Sequence, residues 1–246
     1  MPAFICTTCG TQYPGSDAPP PGCTICLDER QYVNLLGQAW TTLQSMQQRH
    51  FNAFRRHEPG LIGIGTTPAF AIGQRALLLR TGAGNVLWDC ISFIDDATLE
   101  IVRALGGIAA IAISHPPHFY ASMVEWSRAF DHALIHLHAA DKRWVVHPDS
   151  AVTFWNGETR ELAPAVTLLR CGGHFAGGTV LHWADGAGGK GALLSGDIVR
   201  VGPDRKASFM RSYPDLIPLD ASSVQHIADV LEGWKFESIY GAMWVE

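Results

Sequence analysis

The chain lacks three features that would each point to a broad functional class: a basic charge excess, a long apolar run and a secretory signal. Its 246 residues contain 18 Lys and Arg against 23 Asp and Glu, so the formal net charge is −5 at pH 7. Nucleic-acid binding requires a basic face, and this balance argues against a nucleic-acid partner. No apolar run approaches the ~18 residues that cross a bilayer. Residues 1–20 also lack the basic start and apolar block of a signal peptide. These absences predict a cytoplasmic protein with no membrane partner.

Cysteine is scarce as well, and four of the six cysteines lie close to the N-terminus. They form a CxxC…CxxC frame with thirteen residues between the two pairs, a spacing typical of a closed zinc site with four thiolate ligands. The loop between the pairs is rich in Pro and Gly and too poor in apolar residues to fold without such a clip. Iron in a rubredoxin-like knuckle and a pair of disulfides are the alternatives, and the second is disfavoured in an intracellular chain. The predicted ligands of this structural metal are Cys6, Cys9, Cys23 and Cys26.

The pattern of apolar residues divides the chain into three segments. Residues 1–28 contain the cysteines and are predicted to be the metal ribbon. In residues 29–58, apolar side chains from Val33 to Met46 recur at steps of three and four, which predicts an amphipathic helical linker. Its apolar face is expected to pack on the main domain; the alternative is a surface for a partner or for a second copy of the chain in a homo-oligomer.

Residues 59–246 have the sequence pattern of an α+β domain. Short apolar runs are separated by Gly and Pro, as in a series of strands, and a few helical segments lie between them. Many strands with few helices favour two packed sheets flanked by helices. The predicted fold is therefore an αββα sandwich preceded by a small ribbon with a four-cysteine metal site.

Three places put metal-binding side chains just beyond an apolar strand, where a rigid sheet can hold them at the rim of a pocket. The first strand ends in Ser-His-x-x-His, the second begins after Gly-Gly-His-x-x-Gly-Gly, and the third ends in Leu-Leu-Ser-Gly-Asp. Imidazole and carboxylate groups suit zinc, and a site with an open position can activate a bound water. Taken singly, a His at a strand end is more often a hydrogen-bonded structural residue than a ligand.

The order of these motifs resembles that of the metallo-β-lactamase fold superfamily over about residues 60–246. Trp88-Asp89-Cys90 is similar to the family's early strand that ends in Asp, and residues 114–120 lie where the family has Thr-His-x-His-x-Asp-His. Gly173-His174-Phe-Ala-Gly-Gly resembles the Gly-His-x-x-Gly turn, and Ser195-Gly196-Asp197 resembles the Ser/Thr-Gly-Asp motif. The resemblance implies that the pocket ligands are His115, His118, His174 and Asp197, with Asp197 able to bridge two metals.

The first motif is incomplete compared with the family pattern. Pro117 occupies the second His position unless one residue is inserted, in which case His118 takes its place. The Asp and the final His of the motif are replaced by Phe119, Tyr120 or Ala121, and the closing Gly-His near the C-terminus is absent. A site with one zinc or other divalent metal is therefore expected, with a pocket that has lost its metal as the alternative, and His138 with Asp141 could supply the missing ligands.

The leading functional hypothesis is a metal-dependent hydrolase that acts on a small ester, thioester or related electrophile through a metal-bound hydroxide. Asp197 would be a ligand or the base that orients water, and Tyr120 a proton donor to the leaving group. Two alternatives remain open: a non-catalytic binding module on the same fold, and a redox protein with iron in the four-cysteine site.

Overall fold

A computed structural model describes residues 1–116 and 118–244 of the chain. The N-terminal ribbon is a small antiparallel sheet with the strand order β2-β1-β3, and the third strand comes from well beyond the cysteines. Trp40 pairs with Cys6 in this sheet, and its ring packs edge-on against Tyr13 at a centroid distance of 5.2 Å. The elements of this part are β1 (Ala3–Cys6), β2 (Gln12–Gly15), β3 (Trp40–Thr41) and helix α1 (Leu43–Met46).

The prediction of an amphipathic helix over residues 29–58 is wrong. Residues 16–39 contain no helix or strand, α1 spans a single turn, and the segment ends in a strand that joins the main sheet. The apolar residues of this segment serve different surfaces: Trp40 packs on the ribbon, whereas Leu35 and Leu36 are fully exposed. These apolar side chains do not share one core, so their helical spacing does not produce a helix.

The first sheet of the main domain has seven strands in the order β10-β9-β8-β7-β6-β5-β4. Along β6, Ala76 and Leu78 face a core shared with two helices, while Leu77 and Leu79 face the second sheet, as the period of two requires. Trp126 anchors the helical layer by donating a hydrogen bond to the carbonyl of Ile91 at 3.0 Å. The elements are β4 (Phe51–Glu58), β5 (Leu61–Thr67), β6 (Arg75–Leu79), β7 (Val86–Trp88), α2 (Asp96–Ala104), β8 (Ala110–Ala112), α3 (Met123–Ala129), β9 (Leu134–His138), a 3-10 helix (Ala139–Trp144) and β10 (Val152–Trp155).

The second sheet has five strands in the order β11-β12-β13-β14-β19, and a long helix covers its outer face. Asp220 caps that helix by accepting a hydrogen bond from Ser223 N, and Ile227 packs it on the sheet. The elements are β11 (Thr159–Ala163), β12 (Val166–Arg170), β13 (Thr179–Trp183), the short turn α4 (Gly186–Gly189), β14 (Ala192–Gly196), β15 (Arg200–Val201), β16 (Ala207–Ser208), β17 (Met210–Ser212), β18 (Ile217–Pro218), α5 (Ala221–Glu232) and β19 (Ser238–Gly241).

Helices α2 and α3, the two sheets and helix α5 form the four layers of an αββα sandwich, which confirms the predicted fold class. The core between the sheets contains Trp88, Leu168 and Leu181 among other buried apolar side chains. None of the helices in the described residues has the length and apolar character needed to cross a bilayer.

Buried histidines give this fold a predictable response to acid. His136 on β9 is buried, its Nδ1 has no hydrogen-bond partner among the described residues, and burial followed by the charge of Arg160 lowers its pKa to about 4. A folded-state pKa below the unfolded value near 6.5 means that stability is present above that value and is lost as the pH falls toward 4. Between pH 7 and pH 5, this one residue should reduce the free energy of unfolding by about 2 kcal/mol.

Between pH 7 and pH 5, the free energy of unfolding of a His136→Leu variant should therefore fall by about 2 kcal/mol less than that of the wild type. Urea unfolding at both pH values measures this difference. Equal losses in the two proteins would contradict this assignment.

Candidate metal centres

The ribbon brings the four predicted cysteines together. Their sulfur atoms lie within 4.8 Å of one another, with Cys6 Sγ 3.6 Å from Cys26 Sγ and Cys9 Sγ 3.5 Å from Cys23 Sγ. A disulfide requires about 2.05 Å, and all the cysteines are free. A tetrahedron with zinc–sulfur bonds of about 2.3 Å has an edge of about 3.8 Å, so these separations suit a four-thiolate metal site.

Neighbouring side chains complete this ribbon site. The Gln38 amide donates to Cys6 Sγ at 3.2 Å and accepts from Cys23 N at 3.2 Å. Tyr13 OH donates to Cys23 Sγ at 3.5 Å. Hydrogen bonds among the four sulfur atoms lower the pKa of Cys6 and of Cys23, and they raise the pKa of Cys9 and of Cys26. Gln38 was not foreseen, because it lies in the segment that the periodicity assigned to a helix.

A second group lies at one rim of the sandwich, where β8, β13 and β14 meet. His115 follows β8, His174 precedes β13 and Asp197 follows β14 directly. Their ligand atoms lie within 4.8 Å of one another, and His115 Nε2 is 3.8 Å from Asp197 Oδ2. The residues are buried, with exposed fractions of 1%, 4% and 6% respectively. We call this group the metal triad.

The second ring nitrogen of each histidine is held by a neighbour. His174 Nδ1 donates to the carbonyl of Met210 at 2.8 Å, and His115 Nδ1 lies 2.9 Å from Ser114 Oγ. The Met210 carbonyl can only accept, so His174 keeps the lone pair of its Nε2 for a metal, and the Ser114 hydroxyl can accept the Nδ1 proton of His115 in the same way. Burial keeps both rings neutral, lowering the pKa of His174 to about 4 and that of His115 well below its usual value.

The chemistry of the triad fits a divalent metal. His115 Nε2 is buried and has no hydrogen-bond partner among the described residues. An orphaned buried nitrogen costs about 1–3 kcal/mol, and a metal ion facing Asp197 would remove that penalty. Two neutral imidazoles and a carboxylate form a donor set that leaves coordination positions open.

Asp89 supports the loop that carries His115. Its side chain is buried at the end of β7 and accepts a hydrogen bond from Ser114 N at 2.7 Å. Burial raises the pKa of Asp89 to about 8. Gly196 has a φ of +53°, and a Cβ there would lie 2.3 Å from Ser114 Oγ, so only glycine allows this approach.

His118 does not join the triad. Its Nδ1 donates to the carbonyl of Cys9 at 3.1 Å, and its Nε2 lies 3.0 Å from Oε1 of Gln31. Both nitrogens therefore face the N-terminal region instead of the predicted pocket. The sequence allowed two alignments of the motif, with either Pro117 or His118 at the second His position. Pro117 lies outside the described residues.

The other predicted participants are Tyr120, His138 and Asp141. Tyr120 belongs to the core beneath α2 and α3, where burial raises the pKa of its hydroxyl well above the usual value, and its role as a proton donor stays a prediction. His138 Nε2 donates to the carbonyl of Gly157, and Asp141 Oδ1 accepts from Gly177 N. These two residues stabilise loops and do not replace the missing ligands.

Two residues next to the triad were missed by sequence reasoning. Tyr213 OH donates to the backbone carbonyl of Asp197 at 3.0 Å, and its ring centroid is 5.6 Å from that of His174. Arg30 Nη1 donates to the carbonyl of His174 at 3.1 Å. Neither residue lies in a metal-binding motif, and Arg30 belongs to the segment 29–58 that the periodicity assigned to a helix, so the sequence carried no signal for their roles.

A cavity of about 830 Å³ adjoins the triad. Met210 and Tyr213, which contact His174 and Asp197, contribute to its wall, and Arg75 and Arg200 add positive charge. The three triad residues do not line it. Space for a small molecule therefore exists next to two residues that bond His174 and Asp197.

Comparisons with known proteins agree with this architecture. No model of a known protein family matches the chain. The uncharacterized protein YmaE of Bacillus subtilis strain 168 is 49% identical over 245 residues, which cover 98% of this chain and 89% of YmaE.

Solved structures show the fold at low sequence identity. The metallo-β-lactamase DIM-1 superposes with a TM-score of 0.60 at 12% identity, covering 78% of this chain and 89% of its own. The metallo-β-lactamase FIM-1 from Pseudomonas aeruginosa, in a mono-zinc form, gives 0.59 at 14% identity and covers 78% and 87%. TTHA1623 in a di-iron-bound form gives 0.51 at 20% identity and covers 69% and 86%. The chain thus belongs to the family of Bacillus subtilis YmaE and has the metallo-β-lactamase fold, with a four-cysteine ribbon at its N-terminus.

Proposed function

We propose that this protein is a metal-dependent hydrolase with one metal in the triad of His115, His174 and Asp197 and a structural zinc in the four-cysteine ribbon. The observation that carries the proposal is the convergence of three buried ligand atoms, one from each residue of the triad. One of them, the Nε2 of His115, has no hydrogen-bond partner among the described residues. The closed four-thiolate set of the ribbon leaves no coordination position for a substrate.

Each residue of the triad has a separate role in the proposed mechanism. His115, His174 and Asp197 would hold a divalent ion, which would supply an acidified water and a Lewis acid for a carbonyl. His115 and His174 remain neutral because they are buried, and Ser114 and the Met210 carbonyl fix the directions of their rings. Asp197 supplies the negative charge, and the Tyr213 hydroxyl fixes its backbone.

The donor set and the adjoining cavity support the proposed substrate class. Among the described residues, only the ribbon cysteines and the triad form groups able to hold a metal, so a second cation beside the triad has no ligand set of its own. Hydrolysis of lactams and phosphodiesters by a two-metal mechanism would therefore be weak. We propose a small ester or thioester as substrate, with its non-reacting part in the cavity beside Tyr213.

A second candidate follows from the same three ligands. Two His and one carboxylate with open positions are also typical of non-haem Fe(II) enzymes that activate O₂. TTHA1623, which has this fold, was solved with iron, and FIM-1 was solved with zinc. The identity of the triad metal separates the two candidates.

Metal analysis tests the assignment of the two sites. Wild-type protein should hold one metal in each site, His174→Ala should lose the triad metal alone, and Cys6→Ser with Cys9→Ser should lose the ribbon metal. Elemental analysis per chain measures both the number and the identity of the ions. A wild type whose only metal survives in His174→Ala would contradict the triad site, and predominant iron in the triad would favour the second candidate.

Activity should depend on the triad metal. We expect slow hydrolysis of an activated thioester, and His174→Ala should lower kcat/KM at least ~100-fold, since even partners that only orient metal ligands contribute about 10–100-fold. His182→Ala is the matched control, because His182 is also buried and bonds a backbone carbonyl, that of Lys235, at 2.8 Å. Circular dichroism verifies folding of both variants.

Full activity of the metal-free protein would refute a metal-dependent mechanism. A triad that holds its metal but turns over no ester or thioester of a broad panel would favour the binding-module alternative.

A further inference from the structure

The segment that follows the cysteines contacts both loops that carry the histidines of the metal triad. We call residues 28–32 the strap. Its backbone is attached to the second half of the domain, because Ser212 Oγ donates to the carbonyl of Arg30 at 2.9 Å. Glu29 forms an ion pair with Arg211 in the same neighbourhood. The strap thus bonds the stretch around β17 that also supplies the carbonyl of Met210 to His174.

Arg30 inserts its side chain beside His174. The side chain is 11% exposed, and its Nη1 donates to the carbonyl of His174 at 3.1 Å. The guanidinium lies 3.9 Å from the centroid of the Phe175 ring, and Asp28 Oδ1 accepts from its Nε at 2.8 Å. Arg30 therefore holds the backbone of the very loop that presents His174, while the Met210 carbonyl holds the imidazole.

Gln31 makes the corresponding contact on the other histidine loop. Its side-chain amide lies against His118 Nε2, and the carbonyl of Cys9 accepts from His118 Nδ1. The N-terminal region thus contacts both ring nitrogens of His118, which lies three residues after the triad ligand His115. One strap bonds both loops that carry triad histidines.

The ribbon determines where the strap lies. Leu27 N donates to the carbonyl of Cys23, and Asp28 N donates to the carbonyl of Ile25, so the turn around the second cysteine pair runs directly into the strap. A metal bound by the four cysteines orders that turn. The near-complete burial of the triad means that an ion can leave only when neighbouring residues move aside.

From these contacts we infer that Arg30 is a positioning residue for His174, and that the strap retains the triad metal under the control of the ribbon metal. The inference rests on the proposed triad site but not on hydrolysis. Because Arg30 acts through His174 and the strap is ordered by the ribbon, loss of either Arg30 or the ribbon metal should speed release of the triad metal. By linkage, any equilibrium component of this coupling acts equally in both directions.

Cobalt-substituted full-length protein provides the test. Cobalt held by four thiolates shows sulfur-to-metal charge-transfer absorption, which a site with nitrogen and oxygen ligands lacks, so the two ions can be followed separately. After addition of EDTA, Arg30→Ala should release the triad cobalt at least ~10-fold faster than the wild type, with altered d–d bands and an unchanged ribbon spectrum. Gln31→Ala should also release it faster.

Arg143→Ala is the matched control. The Arg143 guanidinium stacks on Trp144 at 4.7 Å, as that of Arg30 does at 5.3 Å, but no hydrogen bond joins it to His174 or His118 among the described residues. Its release rate should equal that of the wild type. Cys26→Ser, which removes the ribbon metal, should accelerate release of the triad cobalt as Arg30→Ala does.

Three results would overturn the inference: wild-type release rates in Arg30→Ala, equal acceleration in Arg143→Ala, or a triad cobalt that is indifferent to Cys26→Ser. A wild type that binds no cobalt in the triad would overturn both this inference and the proposed function. If Arg30→Ala speeds cobalt release as expected but the wild type hydrolyses no ester, only the proposed hydrolase activity is refuted.

Discussion

The arrangement of the triad depends on one backbone hydrogen bond, from Thr179 N to the carbonyl of Ser114 at 2.7 Å. It joins the first residue of β13, in the second sheet, to the loop after β8, in the first sheet. Ser114 also bonds Asp89 through its N–H and His115 through its hydroxyl, and Gly196 packs against it. A fully buried serine thus fixes the positions from which the triad ligands project, and the two sheets cannot shift without separating them.

The ribbon docks beside this junction through backbone groups. Gln12 N donates to the carbonyl of Ala121, and Ser92 Oγ donates to the carbonyl of Gly10 at 2.7 Å. Gly10 has a φ of +80°, and a Cβ there would lie 2.6 Å from Ser92 Oγ, so the close approach depends on glycine. These contacts join the small ribbon sheet to the main domain through the loops that follow β7 and β8.

Sequence reasoning succeeded where one local rule agreed with the global fold. Alternating strands, the four-cysteine frame and the strand-end positions of His115, His174 and Asp197 all follow from short-range patterns that the two-sheet core reinforces. It failed at residues 29–58, because periodicity cannot reveal that a segment is divided among several surfaces. His118 was misjudged and Arg30 missed for a related reason: their partners lie 109 and 144 residues away in sequence.

The same separations impose an order on assembly. The ribbon ligands span only 20 residues, so this site can close as soon as the N-terminus has been synthesised. The strap contact with Ser212 joins residues 182 positions apart and must wait for most of the chain. Domains generally fold from the N-terminus during synthesis, so the four cysteines can converge before all the triad residues have been synthesised. The triad residues can converge once β14 and Asp197 have emerged, shortly before Ser212 becomes available to the strap, so the contact between the strap and β17 is the last of these to form.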